Sequence, residues 1–438
     1  MKVCVMTLGC KVNRYESDAL IQNLNLRGYE TTDKLEPADV YVVNTCAVTG
    51  EAEKKSRQMI ARCRKLNKDA KFFVCGCASQ KNAEQFLDKD IEVVCGTAGK
   101  IKICDFIDNL QKNKEKLQKN SKKSKNNVTN IEILPEEYED NMFAKQSRTR
   151  AYIKIQDGCN NFCTYCIIPY LRGRSRSRGI FSIINEAGGL SDDVKEIVLT
   201  GIDVTDYKID GERGLLTLLT ELDKFGKRLR LSSVEDTLVD EDFISGLKKL
   251  DNFCPHFHLS LQSGSDNVLK RMNRHYKAED FENSVNLIRK YFPKAGITTD
   301  IIVGFPDETE EEFMQTYEFA KKVKFSQLHI FQYSKREGTI AAKLYKDLSP
   351  QIKQARFEKL EELNKELKRN FIKHNHYGKV LVEEKEDEFY IGYTENYIKC
   401  YIKSDKDITN QVVLVERNFL PFAELHRVTP DFCRDNKP

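Results

Sequence analysis

The chain has 438 residues, with 71 Lys plus Arg against 67 Asp plus Glu, 14 cysteines and no tryptophan. At about 100–200 residues per domain, that length predicts two to four domains with cores of their own and excludes a small disulfide-stapled scaffold. The sum charge of +4 is too small to mark a nucleic-acid binder, and 40% hydrophobic with 32% charged residues excludes wholesale disorder.

The longest apolar stretches, such as the one around Ile197 to Leu199, fall far short of a membrane span, so no membrane association is expected. The opening MKVCVMTLGCK is a short apolar strand ended by Lys11, with none of the extended apolar region of an export signal. A cytoplasmic, reducing location is therefore expected. There, clustered cysteines point to metal binding or catalysis and not to disulfides.

In chain order, Lys2 to Leu8 reads as a buried strand and Tyr15 to Gly28 as a helix. Asp39 to Asn44, Lys71 to Cys75 and Ile91 to Val94 repeat the strand pattern, with a charged helix at Glu51 to Leu66. This alternation predicts an open parallel α/β sheet domain over residues 1–112. A Lys/Asn-rich stretch follows and is read as a linker over 113–144, a solvated connector whose competing reading is a basic arm on RNA.

From Ala151, six short apolar runs, each followed by a helical segment, predict a partial (βα)6 barrel open on one side, over 145–373. The runs are Tyr152–Ile155, Lys195–Leu199, Arg228–Leu231, Phe257–Leu261, Ile297–Val303 and Gln327–Tyr333, and Gln351 to Lys373 closes the block as a charged helix. Lys379–Val382, Glu388–Gly392, Ile398–Ile402 and Gln411–Val415 then predict a small all-β barrel over 374–438, a class that often holds oligonucleotides.

Two cysteine constellations stand out. Cys159, Cys163 and Cys166 form a CxxxCxxC cluster directly after the first barrel strand. Three thiolates can hold a cubane and leave its fourth iron open, whereas Fe–S electron carriers usually close theirs with four. Zinc is the competing reading, but only Cys163 and Cys166 make a zinc-type pair, and Cys254, His256 and His258 are about ninety residues away.

Cys10, Cys46 and Cys77 each lie just beyond the carboxyl end of a predicted parallel strand, where the loops of an open sheet converge on one crevice. Gly9 and Gly76 would let the backbone turn beside a bulky cluster. Three inert core cysteines would look alike from spacing, and Cys75 and Cys95 compete for the same role. Cys4, Cys63, Cys104, Cys254, Cys400 and Cys433 have no clustered partners and are read as structural.

At these residues the chain resembles the radical S-adenosylmethionine (SAM) methylthiotransferase family. The resemblance rests on Gln156 through Tyr170 around the cysteine cluster, Thr7–Cys10, Asn44–Cys46, Gly76–Gln80, Leu261–Met272 and Ile302–Phe313. Gly392 to Tyr397 lies in what looks like the family's RNA-holding TRAM domain. Cys10 to Ser17 (CKVNRYES) resembles the branch acting on threonylcarbamoyladenosine beside the tRNA anticodon; substrates of the other branches are isopentenyladenosine and a ribosomal protein.

The resemblance implies two [4Fe-4S] clusters, one on Cys159, Cys163 and Cys166 where SAM binds, and an auxiliary one on Cys10, Cys46 and Cys77. It implies methylthio transfer to C2 of adenine using two SAM molecules, with the tRNA anticodon loop as partner. An electron donor of the flavodoxin or ferredoxin kind and a monomeric chain are also expected. Gly201, Gln262, Ser263 and Gly304, after barrel strands, are candidates for the cofactor pocket, although tight turns would explain Gly201 and Gly304 equally well. The common Gly-Gly-Glu signature is absent at Leu199 to Asp203.

Arg172, Arg174, Arg176 and Arg178 are candidates for binding RNA phosphates, with Tyr165, Tyr170 and Tyr393 as stacking candidates. A non-catalytic, metal-containing RNA-binding protein is the alternative of another class.

Overall fold

In the computed structural model, which describes residues 1–117, 128–131, 133–140, 143–144, 146, 148–375 and 377–416, the first apolar runs make one parallel sheet. Its strands are β1 (Lys2–Thr7), β2 (Glu30–Thr32), β3 (Val40–Thr45), β4 (Lys71–Gly76), β5 (Ile91–Cys95) and β6 (Val128–Asn130), ordered β2-β1-β3-β4-β5-β6. Successive residues of β3 and β4 feed opposite layers. Tyr41, Val43 and Phe72 pack toward Ile60 and Cys63 of the helix Gly50–Leu66, while Val40, Val42 and Phe73 pack toward Leu20 and Leu24 of the helix Lys11–Leu26. Both faces are covered, so the strands read as continuous apolar runs.

Sequence patterning missed β2 and β6, which have three residues each and little periodicity. β6 lies inside the expected linker, and most of that linker's lysine run falls outside the described residues.

The second block begins with β7 (Arg150–Lys154). A two-residue ladder follows, β8 (Gln156–Asp157) with β9 (Arg176–Ser177), then β10 (Glu196–Thr200) and the hairpin β11 (Lys208–Ile209) and β12 (Glu212–Arg213). The remaining strands are β13 (Arg228–Leu231), β14 (Ser233–Val234), β15 (His256–Gln262), β16 (Gly296–Val303) and β17 (Gln327–Gln332). They form two parallel arcs, β13-β10-β7 and β14-β15-β16-β17, and β13 and β14 are one strand interrupted at Ser232. The result is the expected six-stranded partial barrel.

β7 and β17 end the two arcs without pairing to each other, and the N-terminal domain spans the gap between them. On the β7 side the Tyr15 hydroxyl donates to Glu186 (3.0 Å). On the β17 side Arg336 donates to the Ala47 carbonyl (2.6 Å) and to Glu53 (2.8 Å).

Barrel alternation is inverted relative to a packed barrel. Ile153, Ile197, Leu199, Leu229, Leu231 and Leu259 face the outer helices, which leaves the other parity, including Arg150, Glu196, Arg230, His258 and Asp300, for the interior. Glu196 is fully buried and binds Arg150 (2.9 Å), Arg228 (3.1 Å) and Arg230 (2.9 Å).

The C-terminal strands β18 (Tyr377–Glu386), β19 (Phe389–Thr394), β20 (Lys399–Ile402) and β21 (Val412–Glu416) form an antiparallel sheet ordered β20-β19-β18-β21. Its β19–β20 turn closes the floor of the barrel. Arg230 donates to the Glu395 carbonyl (3.0 Å), Asn396 donates to the Lys294 carbonyl (2.9 Å), and Tyr397 stacks on His256 at 4.6 Å. Cys433 and the end of this domain lie outside the described residues. No helix among the described residues is long and apolar enough to cross a membrane.

Glu196 gives the fold a pH signature. Burial alone would raise its carboxyl, but Arg230, Arg150 and Arg228 outweigh burial and hold it at about 2, below its ordinary 4.5. Its contribution to stability is therefore fully present above pH 4.5 and is lost as pH falls toward about 2. Glu196→Gln should flatten that acid limb and lower the denaturant midpoint at neutral pH, measured by urea titrations across pH.

Candidate active site

Cys10, Cys46 and Cys77 follow the carboxyl ends of three adjacent strands, β1, β3 and β4, whose register pairs Thr7 with Asn44, Asn44 with Cys75 and Thr45 with Gly76. Adjacent strands in register carry their loops to one place, here at the point where strand order changes direction. Cys46 and Cys77 are buried and Cys10 is exposed. Gly9 and Gly76 have φ of +98° and +105°, and a Cβ at Gly9 would stand 2.6 Å from the Cys46 sulfur, while one at Gly76 would stand 2.4 Å from the Thr45 carbonyl oxygen. Only glycine lets the two turns close on the thiols.

Asn13 ties these turns together. Its Nδ2 donates to the Leu8 (2.8 Å) and Thr45 (3.0 Å) carbonyls, and its Oδ1 accepts from Arg172 (2.8 Å). Cys75 and Cys95 drop out as competitors because they pack with Cys104 in the opposite layer of the sheet.

The second triad sits on the loop after β8. Gly158 has φ +73°, and a Cβ there would stand 1.9 Å from the Arg174 carbonyl oxygen; Phe162 also takes a left-handed φ of 47°. The Asn161 amide donates to the Cys159 sulfur (3.4 Å), and Arg274 Nη1 to that of Cys163 (3.4 Å). Directly after Cys166, the helix Ile168–Arg172 packs on the helix Cys77–Lys81, with Leu171 and Cys77 in one apolar cluster. The two thiol triads therefore face each other across the interface of the first and second domains.

Burial pushes the Cys46 thiol up to about 11 and that of Cys166 up to about 12, with neighbouring thiols adding to each. Ligation of iron would remove those protons. Among the described residues no three His, Cys, Asp or Glu side chains gather closely enough to hold a single ion. Three thiols in each set fit the ligand count of a cubane with an open iron and fall short of a four-ligand zinc.

Behind the triads lies a buried ion network. Glu16 pairs with Lys154 (2.9 Å), Arg172 (2.9 Å) and Lys100, and Asp157 pairs with Lys154 (2.6 Å), Arg172 (3.1 Å) and Arg176 (3.4 Å). Four cations face two carboxylates, a surplus of two. Burial opposes the Cys77 thiolate, and Arg172 beside it is the largest influence in its favour. Thiolate charge on the first triad thus complements the surplus.

Three of the four arginines expected to meet RNA are consequently corrected. Arg172 and Arg178 are 1% exposed and Arg176 9%; Arg178 binds Glu186, Asp140 (2.9 Å) and the Tyr15 hydroxyl (3.2 Å). Buried carboxylates claim them because their alternating positions turn them inward. Only Arg174 is exposed, over the Phe162 ring at 4.4 Å. Tyr170 is exposed, Tyr165 packs on Phe305, and Tyr393 is stacked on Tyr397 under Arg150, which removes Tyr393 from the surface candidates.

The candidate cofactor residues divide similarly. A Cβ at Gly201 would stand 2.9 Å from Gln156 Oε1, which accepts from the amides of Ile202 (3.0 Å) and Asp203 (2.8 Å), so this glycine packs against the loop that carries the triad. Ser263 is fully buried and bonds Thr316 (3.0 Å), and Gly304 has φ +66° with its amide on Glu308 (2.8 Å); both serve their turns. Gln262 alone, with φ 69°, is half-buried at a strand end.

Sequence reasoning missed Asp203, Glu235 and Arg274. Asp203 Oδ2 lies 3.9 Å from the Cys159 sulfur, and Arg274 joins Glu235 to the Cys163 sulfur. Burial raises Glu235 to about 7 against the pull of Arg274. Asp203 follows the carboxyl end of β10, two residues after Gly201, and Glu235 follows that of β14, where the sequence reading placed no candidate.

Residues 153–320 match the Radical SAM superfamily and residues 2–96 match the Uncharacterized protein family UPF0004. The chain is 41% identical over 428 residues to the threonylcarbamoyladenosine tRNA methylthiotransferase MtaB of Bacillus subtilis (strain 168), covering 94% of this chain and 93% of that one. It is 37% identical to the MtaB of Aquifex aeolicus (strain VF5), covering 93% and 98%. It is 34% identical to the tRNA-2-methylthio-N(6)-dimethylallyladenosine synthase of Dictyoglomus thermophilum, covering 95% of each. Among solved structures, the radical SAM methyltransferase TsrM from Kitasatospora setae shares the fold with a TM-score of 0.54 at 15% identity, over 78% of this chain and 73% of that one.

Gly9→Ala should lower the iron and sulfide that Cys10, Cys46 and Cys77 retain after anaerobic reconstitution while leaving the Cys159 triad loaded, as read by elemental analysis against a Cys159→Ala control. Arg172→Met should destabilise the chain by about 3–5 kcal/mol in denaturant titrations, because Glu16 and Asp157 lose a shared partner in a buried site.

Proposed function

The chain belongs to the radical SAM methylthiotransferase family, and from that premise we propose that it methylthiolates C2 of N6-threonylcarbamoyladenosine beside the tRNA anticodon. The observation that carries the reading is the facing of two thiol triads, each one ligand short of closing a cubane, across one domain interface. The MtaB relatives, at 37–41% identity over more than nine-tenths of the chain, favour the threonylcarbamoyl substrate over the dimethylallyl one.

Cys159, Cys163 and Cys166 would hold a [4Fe-4S] cluster with SAM on its open iron, and Cys10, Cys46 and Cys77 a second cluster. When bound, the pair supplies a 5′-deoxyadenosyl radical that takes hydrogen from an unactivated C–H bond, and a sulfur for the resulting carbon. Asp203 and Glu235, the carboxylates beside the Cys159 triad, would receive the ammonium of SAM in place of the absent Gly-Gly-Glu signature. Asn13 ties the turns of Cys10 and Cys46 together, and Arg172 holds them against the loop of the other triad. The substrate carbon must lie between the two triads. Arg174, with Phe162 beneath it, is an exposed cation beside the site and would meet phosphate.

Mass spectrometry of tRNA nucleosides tests the reading. The methylthio group should be lost from threonylcarbamoyladenosine alone when the gene is deleted. It should return with the unsubstituted chain and not with Cys159→Ala or Cys46→Ala; loss from isopentenyladenosine instead would overturn the substrate.

A further inference from the structure

The inward-facing residues of the barrel line a cavity of about 490 Å³, within the usual size of a small-molecule site. Its floor is the turn of the C-terminal sheet, and its walls come from β13, β15, β16 and β17. At one side Lys11 enters it from the N-terminal domain, one residue after Cys10. The lining carries Lys11, Arg230, Lys368 and Lys399 against the single carboxylate Asp300. Arg230 is held by Glu196 and Asp300 by His258 at 3.3 Å, so those two largely satisfy themselves. Lys11 is an exposed residue at the edge of this lining, and its ammonium has no hydrogen bond or ion pair among the described residues. His256, 7% exposed and lining the same space, leaves its Nδ1 without a partner. A cavity with an unpaired cation and a spare ring nitrogen calls for an anionic ligand that also accepts or donates hydrogen bonds.

The proposed function supplies one. In adenine, C2 and the carbon bearing N6 flank N1, so a base whose C2 meets the Cys10 turn extends its N6 arm along the same edge, into the space that Lys11 enters. A threonylcarbamoyl arm ends in a carboxylate, whereas an isopentenyl arm carries no charge. We propose that the barrel cavity receives the N6 arm of the substrate adenine and that the Lys11 ammonium pairs with its terminal carboxylate, making Lys11 the residue that selects an acidic arm. This rests on the reading of the chain as a threonylcarbamoyladenosine methylthiotransferase and adds how it recognises that nucleoside.

Synthetic anticodon stem-loops test it with the full chain reconstituted with iron and sulfide. One RNA carries threonylcarbamoyladenosine, a second carries its carboxamide analogue, and a third carries isopentenyladenosine. The unsubstituted chain should lose about ten- to a hundred-fold in kcat/KM on changing acid to carboxamide, mainly through KM, the range expected for one charge-assisted hydrogen bond. Lys11→Gln, with iron content equal to the unsubstituted chain, should lose as much on the acid and nothing further on the carboxamide, and Lys11→Arg should recover most of the loss. Equal kcat/KM of the unsubstituted chain on acid and carboxamide would overturn the pairing without needing any variant, as would a Lys11→Gln loss of the same size on both RNAs. Turnover of the isopentenyl RNA alone would overturn the proposed function itself, an outcome separate from failure of the pairing.

Discussion

The structure depends on one buried constraint: Glu16 of the first helix and Asp157 at the end of β8 share the guanidinium of Arg172 and the ammonium of Lys154. Glu16 belongs to the N-terminal domain and the other three to the barrel, so the contact fixes how the domains meet. A buried ion pair is weak evidence for stability, since desolvation offsets much of its attraction, but it penalises any arrangement that leaves one member unpaired. Such a penalty suits an interface that must hold two triads of cysteines in one relative position. The cationic surplus of this network also favours anionic sulfur at the site.

The open side of the barrel has a related logic. Six strands do not close a circle of eight, and the unpaired edges of β7 and β17 would otherwise expose backbone donors and acceptors. The N-terminal domain covers that gap through Tyr15 on one side and Arg336 on the other, and the C-terminal turn covers the floor. An interior lined by arginine, histidine and carboxylate leaves part of its volume as a cavity of about 490 Å³. Each flanking domain thus completes a wall of the same chamber.

Much of this was legible in the sequence. The strand runs of the first two blocks fall within a residue or two of the observed β1, β3, β4, β5, β7, β10, β13, β15, β16 and β17, because buried parallel strands leave dense apolar runs. The convergence of Cys10, Cys46 and Cys77 followed from strand ends in a parallel sheet. The orientation of charged side chains was not legible: a run of four arginines at alternate positions looks solvated until the carboxylates that claim three of them, Glu16, Asp157 and Glu186, are located in space. Those partners lie up to 156 residues away in sequence, and no local pattern announces them. Asn13, Asp203, Glu235 and Arg274 were missed for the same reason, each acting through contacts with turns that are distant along the chain.

That separation has a consequence for how the chain is made. Glu16 leaves the ribosome well before Arg172, and at about 5–20 residues per second the wait is roughly 8–30 seconds. During that interval the N-terminal sheet can form its two apolar layers, but among the described residues Glu16 has Lys100 alone from its own domain as a charged partner. The first domain is therefore born with an unfinished surface and becomes native only when the opening turn of the barrel arrives to neutralise it, so the site and the last step of domain docking are completed by the same residues.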